Sequence, residues 1–312
     1  MSKSKLSYGQ LYYAKIKAKQ LGITVDEYLA NKGKRVHTIK KGTKVAKQEE
    51  VSLDKVVRLS DLNVDENMLK CNSTGLIVDT IFSHEGGIPV GTNIMCTGSP
   101  GVGKTTVLLH TISNLQKKNP HLKCLFICAE MGKIQMFKYM KRFPVFGEID
   151  TIFPSDYMNH NFKDVIEKLM EQGYDYILMD SIVEVLDSIK EDNNMSQTNA
   201  ERWLVELCVK NNEGGNKRKA YTTFMLIQQV TKSGVFVGSN RLKHITDAHM
   251  EMLRDSDRDG GATYITFSKN RNGQAGIRFN YQLTNNEVQY GVLVHEDGDG
   301  STSFSLENNS DQ

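Results

Sequence analysis

The sequence predicts an α/β fold: a doubly wound, mostly parallel sheet with helices on both faces and antiparallel strands near the C-terminus. Between residues 93 and 229, apolar runs of strand length alternate with segments of helical periodicity. Strands that alternate with helices form parallel sheets covered on both faces. Beyond residue 262 the pattern changes to three successive strand-like stretches separated by turns.

The elements of this fold follow in order along the chain. The predicted strands are NIMCTG, CLFICAE, EIDTIF, YDYILMD and TTFMLIQQ, followed by ATYITF, GIRFNYQL and EVQYGVLV near the C-terminus. The predicted helices are Lys104 to about Lys118, GKIQMFKYMKRF up to Pro144, NFKDVIEKLMEQ up to Gly173, and NAERWLVELCVKN.

Composition limits the class of protein. The chain has 312 residues, 39% of them hydrophobic, which is enough for one substantial core. No apolar run is long enough to span a bilayer, and the opening MSKSKLSYGQ lacks an apolar signal region. Five cysteines without a C-x-x-C pair favour a reducing compartment. Cys124 and Cys128 in KCLFICAE lie on one face of a predicted strand, which favours a place in the core over a metal site. We expect a cytoplasmic protein that does not enter a membrane.

The charge is unevenly distributed. Residues 1–50 hold 12 Lys/Arg and 4 Asp/Glu, a net charge of +8, whereas residues 296–312 hold five acids and no base. We therefore expect three regions: a basic helical arm and linker over 1–50, the α/β domain over 51–295, and an acidic disordered tail over 296–312. The opposite charges suggest a polyanionic partner.

The arm is predicted to contain two short helices. Apolar residues recur at helical spacing from Leu11 to Ala18, and Gly22 suits a helix end. Thr24 and Glu27 form a capping box for the second helix. Two helices at a glycine turn fit either a DNA-reading helix-turn-helix or an arm that docks on a protein partner.

A phosphate-binding loop follows the first strand of the domain. The run from Gly98 to Thr105, GSPGVGKT, fits the pattern G-x-x-x-x-G-K-[ST]. Glycines let backbone N–H groups cradle phosphate oxygens, and the following helix presents its positive dipole end to them. The nucleotide-binding candidates are Gly98, Ser99, Pro100, Gly101, Val102, Gly103, Lys104, Thr105 and Thr106.

Other strand ends supply the remaining groups of a nucleotide site. Lys104 would reach the β- and γ-phosphates, and Thr105 together with Asp180 would hold Mg²⁺. Glu130 is a candidate for orienting or deprotonating the attacking water, with a helix cap or surface acid as its alternative role. An amide from Gln229 or its neighbour Gln228 would sense the γ-phosphate.

Several cations are candidates for other roles. SKNRNG places Lys269 and Arg271 on a predicted hairpin near the C-terminus. Two further segments are candidates for contacts with DNA phosphates: Lys217, Arg218 and Lys219 in one loop, and Lys232, Arg241 and Lys243 in another. Neither segment contains several aromatic residues on which bases could stack, so we expect contacts with the DNA backbone and no recognition of base sequence. The alternative is that these cations lie on a solvated surface and bind no DNA.

The order of these motifs resembles the RecA-like ATPases, above all the branch with RadA (Sms) and DnaB-type helicases. The resemblance spans about residues 74–292 and rests on EGGIPVGTNIMCTGSPGVGKTT, CAEMGKIQMFKYMKRF, YILMDSIVEVL and KNRNG. It also includes the element Leu-x-His-x-x-Asp (Leu242, His244 and Asp247), expected on a helix. Residues 1–50 contain no cysteine, unlike the zinc module of RadA, and Asn272 replaces a Phe of RadA. By analogy, an ATPase domain without the zinc module of RadA suggests a minimal member of this branch from a phage or a mobile element.

The resemblance implies an ATP- and Mg²⁺-dependent motor in a bacterial or phage-infected cell. Such ATPases assemble as rings or filaments with ATP between subunits, so Lys269 or Arg271 would act on the nucleotide of a neighbour. Two alternatives remain for Lys269 and Arg271: they contact DNA phosphates, or they lie on a solvated turn and have no function. We expect action on single-stranded or branched DNA in recombination, repair or replication, with helicase and strand-pairing recombinase both open. A non-motor ATP switch on protein partners is the alternative from another class.

Overall fold

The structure is a computed structural model that describes residues 14, 18, 24–30, 56–229, 242, 246–255 and 262–294. The chain forms two compact units, Met1–Leu62 and Asn63–Gln312. In the first unit, helix α1 spans Val25–Ala30. The predicted capping box is present: the backbone N–H of Thr24 donates to the Glu27 carboxylate at 2.8 Å, and the Glu27 N–H donates to the Thr24 hydroxyl at 3.2 Å.

The second unit contains the α/β domain. Its helices are α2 (Asp79–Phe82), α3 (Lys104–Lys118), α4 (Lys133–Arg142), α5 (Phe162–Gln172), α6 (Ile182–Asn193) and α7 (Gln197–Asn212). Its strands are β1 (Cys71–Asn72), β2 (Ile88–Pro89), β3 (Asn93–Gly98), β4 (Cys124–Cys128), β5 (Asp150–Ile152), β6 (Tyr176–Asp180), β7 (Thr223–Gln229), β8 (Ala248–Arg254), β9 (Thr263–Asn270), β10 (Arg278–Leu283) and β11 (Val288–Val294).

Nine of these strands form one sheet in the order β11-β10-β9-β8-β3-β7-β6-β4-β5. The strands from β8 to β5 are parallel, and β9, β10 and β11 continue the sheet in antiparallel fashion. The predicted α/β class, with a mostly parallel sheet and antiparallel strands at the end, is confirmed. The carboxyl ends of β3, β4, β6 and β7 therefore meet at one edge of the sheet.

Helices cover both faces of the sheet because the buried strands are apolar on both sides. Along β4, Phe126 and the flanking cysteines pack in the core against α3, whereas Leu125 and Ile127 pack in the core against α5, α6 and α7. The predicted core position of Cys124 and Cys128 is confirmed, and burial raises the pKa of the Cys128 thiol to about 11. Within the described ranges, no helix has the length and apolar character needed to cross a membrane.

The structure corrects two local predictions. Helix α6 begins just after Asp180, where no helix is predicted from the sequence. The expected helix is present at Leu242 but does not extend to Asp247, which lies in a bend directly before β8. Alternate residues Ala248, Met250 and Met252 are buried along β8, the period of a strand with one covered face. His244 lies outside the described residues.

Candidate functional site

The phosphate-binding loop joins the carboxyl end of β3 to the first turn of α3. Gly101 and Gly103 have φ angles of 78° and 98°, a region that favours glycine. The side chain of Lys104 is buried, and its Nζ donates to the carbonyl oxygens of Gly98 at 2.8 Å and Ser99 at 3.2 Å. The ammonium group therefore lies under the loop, where it can exchange these carbonyls for phosphate oxygens.

Thr105 and Asp180 meet beside this loop, because β3 and β6 end at the same edge of the sheet. The Thr105 hydroxyl donates to Asp180 Oδ2. Asp180 Oδ1 is buried and has no hydrogen-bond partner among the described residues. Burial raises the pKa of Asp180 to about 6; the nearby Glu130 also raises it, while the Thr105 hydrogen bond and Lys104 oppose the rise.

This donor set fits Mg²⁺, which prefers hard oxygen ligands and keeps several of its waters. The unpaired Asp180 Oδ1 is an acceptor that a hydrated cation would satisfy, and a cation would favour the ionised carboxylate. No group of three or more His, Cys, Asp or Glu side chains with metal-binding geometry occurs in the described part of the chain. A magnesium site here would therefore depend on the hydroxyl, one carboxylate, water and phosphate.

Glu130 and Gln229 face the same pocket as the loop. The pocket has a volume of about 390 Å³ and is lined by Gly101, Lys104, Thr105, Glu130 and Gln229 among others. The Glu130 side chain is exposed, and its backbone N–H donates to the Asp180 carbonyl oxygen at 3.0 Å. Gln229 pairs with Gly98 across the sheet, whereas Gln228 is buried and does not line the pocket. Of the two amides, Gln229 is the one placed to reach a nucleotide.

The roof of this pocket was not predicted from the sequence. The turn between β10 and β11 lies over the loop, and Arg142 donates from Nε to the Asn285 carbonyl at 2.7 Å and from Nη2 to the Thr284 carbonyl at 2.5 Å. Tyr281 donates from its hydroxyl to the Val102 carbonyl at 2.6 Å. Other roof and wall residues are Leu283, Tyr139, Gln135 and Met131. These residues come from segments that are distant in the sequence, and only the tertiary structure shows that they line the same pocket.

Leu283 packs against the phosphate-binding loop at Gly103. A Cβ atom at position 103 would lie 2.5 Å from Leu283 Cδ1, the end of a flexible side chain that can shift. The φ angle of 98° is therefore the stronger reason for glycine at this position.

Lys269 and Arg271 lie at the end of the sheet opposite the carboxyl ends of β3, β4, β6 and β7. Ala248 pairs with both Ile94 and Asn270, so the last residue of β9 lies beside the start of β3. Ile94 is four residues before Gly98, which corresponds to about 13 Å along the strand. Lys269 Nζ donates to the Thr246 carbonyl, and Arg271 forms an ion pair with Asp247 at 3.0 Å while its side chain remains 61% exposed.

The predicted DNA-contacting cations divide into two groups. Lys232, Arg241 and Lys243 lie outside the described residues. In the other loop, Arg218 Nη1 donates to the Gly173 carbonyl at 2.7 Å and to Asp175 at 2.9 Å, and Lys217 lies 3.6 Å from Glu171. The Lys219 side chain forms no hydrogen bond or ion pair with the described residues.

Arg218→Ala should lower the free energy of unfolding by about 1 kcal/mol, because two half-buried acceptors lose their donor. Lys219→Ala removes an exposed charge from the same loop and should leave stability unchanged. Urea unfolding of both variants, together with titration of labelled single-stranded DNA, measures the two effects. A loss of DNA affinity in Arg218→Ala at unchanged stability would contradict the structural role and favour the predicted phosphate contact.

The sheet, the loop between β3 and α3, and the carboxylates at neighbouring strand ends define a RecA-like P-loop protein. The chain belongs to the RecA N-terminal domain family, whose model matches residues 41–248. The predicted resemblance is thereby confirmed at the level of the family.

Curated relatives are distant. The chain is 27% identical over 162 residues to the DNA repair protein RadA of Chlamydia muridarum, covering 52% of this chain and 33% of that protein. It is 23% identical to the RadA of Aquifex aeolicus, covering 65% and 43%. It is 28% identical to the RecA protein of the same organism, covering 64% and 59%. The chain thus spans between a third and three fifths of the length of these relatives.

A solved structure shows the same fold. A KaiC-like protein from Pyrococcus horikoshii superposes with a TM-score of 0.53 at 17% identity, covering 71% of this chain and 99% of that one. At that identity the similarity bears on the fold alone.

Proposed function

We propose that the protein is an ATP-dependent DNA motor of the RecA, RadA and DnaB-like class, which hydrolyses ATP at the interfaces of a ring or filament. One observation carries the proposal. The phosphate-binding loop, Thr105 and the exposed Glu130 line one pocket, Thr105 donates to the buried Asp180, and Arg271 lies at the opposite end of the strands.

The chemistry of the pocket suits phosphoryl transfer to water. Backbone N–H groups of the loop and the Lys104 ammonium bind the phosphates, and the positive end of α3 favours their charge. When bound at Thr105 and Asp180, Mg²⁺ neutralises charge on the phosphate oxygens. The carboxylate of Glu130, which is exposed to the pocket, orients and deprotonates the attacking water. Gln229 binds the terminal phosphate. Because Gln229 is the last residue of β7, loss of that phosphate on hydrolysis is transmitted to the segment that follows β7.

A second subunit completes the site. In its own chain Arg271 is separated from the loop by the length of β3, so it reaches a γ-phosphate only when that phosphate is held by a neighbouring copy. Of the two candidate cations, Arg271 suits this role better, because its side chain is largely exposed. Lys269 is turned back onto the Thr246 carbonyl and would position the segment.

DNA binding is proposed through the segment after β7 and the basic arm 1–50, with the acidic tail 296–312 as a competitor. The RadA relatives are named as DNA repair proteins, which supports DNA as the polymer. Within this class, a helicase and a strand-pairing recombinase remain as two forms of the same proposal, separable by unwinding and strand-exchange assays.

Single-stranded DNA should stimulate ATP hydrolysis, because a polymer bound at the segment after Gln229 would align the contact of Gln229 with the γ-phosphate. Initial rates with and without single-stranded DNA, at several salt concentrations, test this directly. Stimulation should fade with added salt as phosphate contacts are screened. An ATP hydrolysis rate that does not change when DNA is added would favour the alternative of an ATP switch acting on protein partners.

A further inference from the structure

Asn270 is the last residue of β9 and lies between the two candidate finger cations. Its Nδ2 donates to the carbonyl oxygens of Ile81 at 3.1 Å and Phe82 at 3.2 Å, which end α2. Its Oδ1 accepts from the backbone N–H of Asn272 at 3.0 Å. The two ends of the amide cannot be exchanged, because Oδ1 would then face two carbonyl oxygens. This side chain therefore joins the turn after β9 to the end of α2.

The chain beyond Arg271 contacts the same region. The backbone N–H of His84 donates to the Asn272 carbonyl at 2.9 Å. A Cβ atom at Gly273 would lie 3.2 Å from Ser83 Cα, closer than an ordinary van der Waals contact, so the turn packs directly on the backbone there. The residues on both sides of Arg271 are thus fixed to residues 81–84, which we call the anchor segment.

The anchor segment is itself held in the core. Phe82 is 2% exposed and packs edge to face against Phe267 of β9, with ring centroids 5.8 Å apart. The hydroxyl of Ser83 is buried and donates to the Gly87 carbonyl at 2.9 Å. Closely packed core residues of this kind move little, because their neighbours leave them no space. The anchor segment is therefore a fixed reference for the turn that carries Arg271.

Strand β9 is irregular directly before the finger. His249 pairs with Lys269, but Met250 pairs with Phe267, so Ser268 has no partner in the pairing with β8. Such a bulge changes the direction of the side chains near it. Contacts beyond the strand pairing therefore contribute to the direction in which the finger points.

We propose that Asn270 is the positioning residue of the arginine finger. It holds residues 270–273 on the anchor segment, so that the Arg271 guanidinium reaches the γ-phosphate bound by a neighbouring copy. This inference rests on the proposed function, in which Arg271 acts on a neighbour. The backbone N–H of Arg271 donates to the Asp247 carbonyl at 3.0 Å, while the side chain is 61% exposed. A fixed backbone with an exposed charge suits a group that must stabilise a transition state without first being ordered.

Asn270→Asp tests this role, because it keeps the acceptor but replaces the donor with a carboxylate oxygen that repels the carbonyls of α2. Turnover should fall about 10²-fold, the effect of displacing a reacting group by about 1 Å. ATP affinity should stay unchanged, since the nucleotide pocket of the same chain is not altered. Asn270→Ala, which adds no charge, should act in the same direction. Steady-state ATPase rates and ATP titrations measure both effects, at a temperature where thermal unfolding shows each variant folded.

Asn199→Asp is the matched control, because it makes the same chemical change at an exposed position of α7. It should leave turnover and ATP affinity unchanged. Normal turnover in both Asn270 variants, or a loss of ATP affinity that accounts for the slower turnover, overturns the proposal.

Mixed subunits separate a displaced finger from a damaged subunit. An equal mixture of Asn270→Asp and Lys104→Ala should recover turnover, because the intact loop of the first then meets the intact finger of the second. A mixture of Asn270→Asp and Arg271→Ala should not recover, since neither supplies a well-placed finger. Recovery in that second mixture overturns the role of Asn270.

The mixture of Arg271→Ala and Lys104→Ala judges the proposed function separately. If this mixture recovers turnover and the mixture of Asn270→Asp with Lys104→Ala does not, only the role of Asn270 is wrong. If neither recovers in subunits shown to exchange, action on a neighbour is wrong and the role of Asn270 is overturned with it.

Discussion

Lys104→Ala should abolish ATP hydrolysis and weaken nucleotide binding while the protein stays folded. The Lys104 ammonium is the cation buried under the loop, within 3.2 Å of two of its carbonyl oxygens. Without it, the charge of the β- and γ-phosphates lacks its main counterpart in the chain. The measurements are the steady-state ATPase rate, nucleotide affinity and thermal unfolding.

Lys117→Ala is the control, since Lys117 is exposed in the last turn of the same helix. It should leave turnover and the unfolding temperature unchanged. Normal turnover in Lys104→Ala would remove the pocket from the proposed function altogether.

Glu130→Gln separates binding from chemistry at the same site. The amide keeps the shape of the side chain but cannot accept a proton, so ATP should bind normally and be hydrolysed more slowly by roughly 10²-fold or more. Single-turnover rates and ATP affinity measure the two effects. If turnover stays normal, the general base lies elsewhere.

Arg271→Ala should bind nucleotide but fail to hydrolyse it, an effect of about 10³-fold for a lost arginine finger. The physical reason is the distance along β3 between Arg271 and the loop of its own chain. An equal mixture of Arg271→Ala and Lys104→Ala should recover part of the activity, because some interfaces then combine an intact loop with an intact finger. Arg202→Ala, which removes an exposed arginine from α7, should not change turnover.

The mixing experiment also distinguishes the alternatives for Arg271. No recovery in subunits shown to exchange would argue against action on a neighbour. Loss of DNA binding with normal ATP hydrolysis would assign Arg271 to DNA phosphates. If both ATP hydrolysis and DNA binding are unchanged in Arg271→Ala, Arg271 is a solvated side chain that pairs with Asp247 and has no role in either activity.

The geometry of the candidate nucleotide site was predictable because its information is local. Eight consecutive residues fix the backbone path between β3 and α3, and the apolar strands that end at Glu130 and Asp180 are recognisable as single segments. Parallel strands in a doubly wound sheet present their carboxyl ends at one edge, so the meeting of these side chains follows from the class of fold.

The helix ends were predictable for the same reason. Gly173 follows α5 with a φ angle of 80°, and the Thr24–Glu27 capping box needs only residues three apart. Such signals depend on backbone geometry within one turn, which the sequence specifies directly.

Strand β8 shows where local information failed. Its residues AHMEMLR show period-two alternation, but the segment is short and no strand is predicted there from the sequence. Parallel pairing with β3 and antiparallel pairing with β9 establish the strand.

By itself, then, the sequence determined the class of fold, the phosphate-binding loop and the carboxylates around it, because each depends on consecutive residues or on a general rule of parallel sheets. Only the tertiary structure decided that Arg142 and the β10–β11 turn roof the pocket, that Gln229 faces it, and that Arg271 lies at the far edge of the sheet. The physical reason is that these placements depend on the register of strands distant in the sequence, such as the pairing of Ile94 with Ala248, which is set by packing across the whole sheet and not by any single segment.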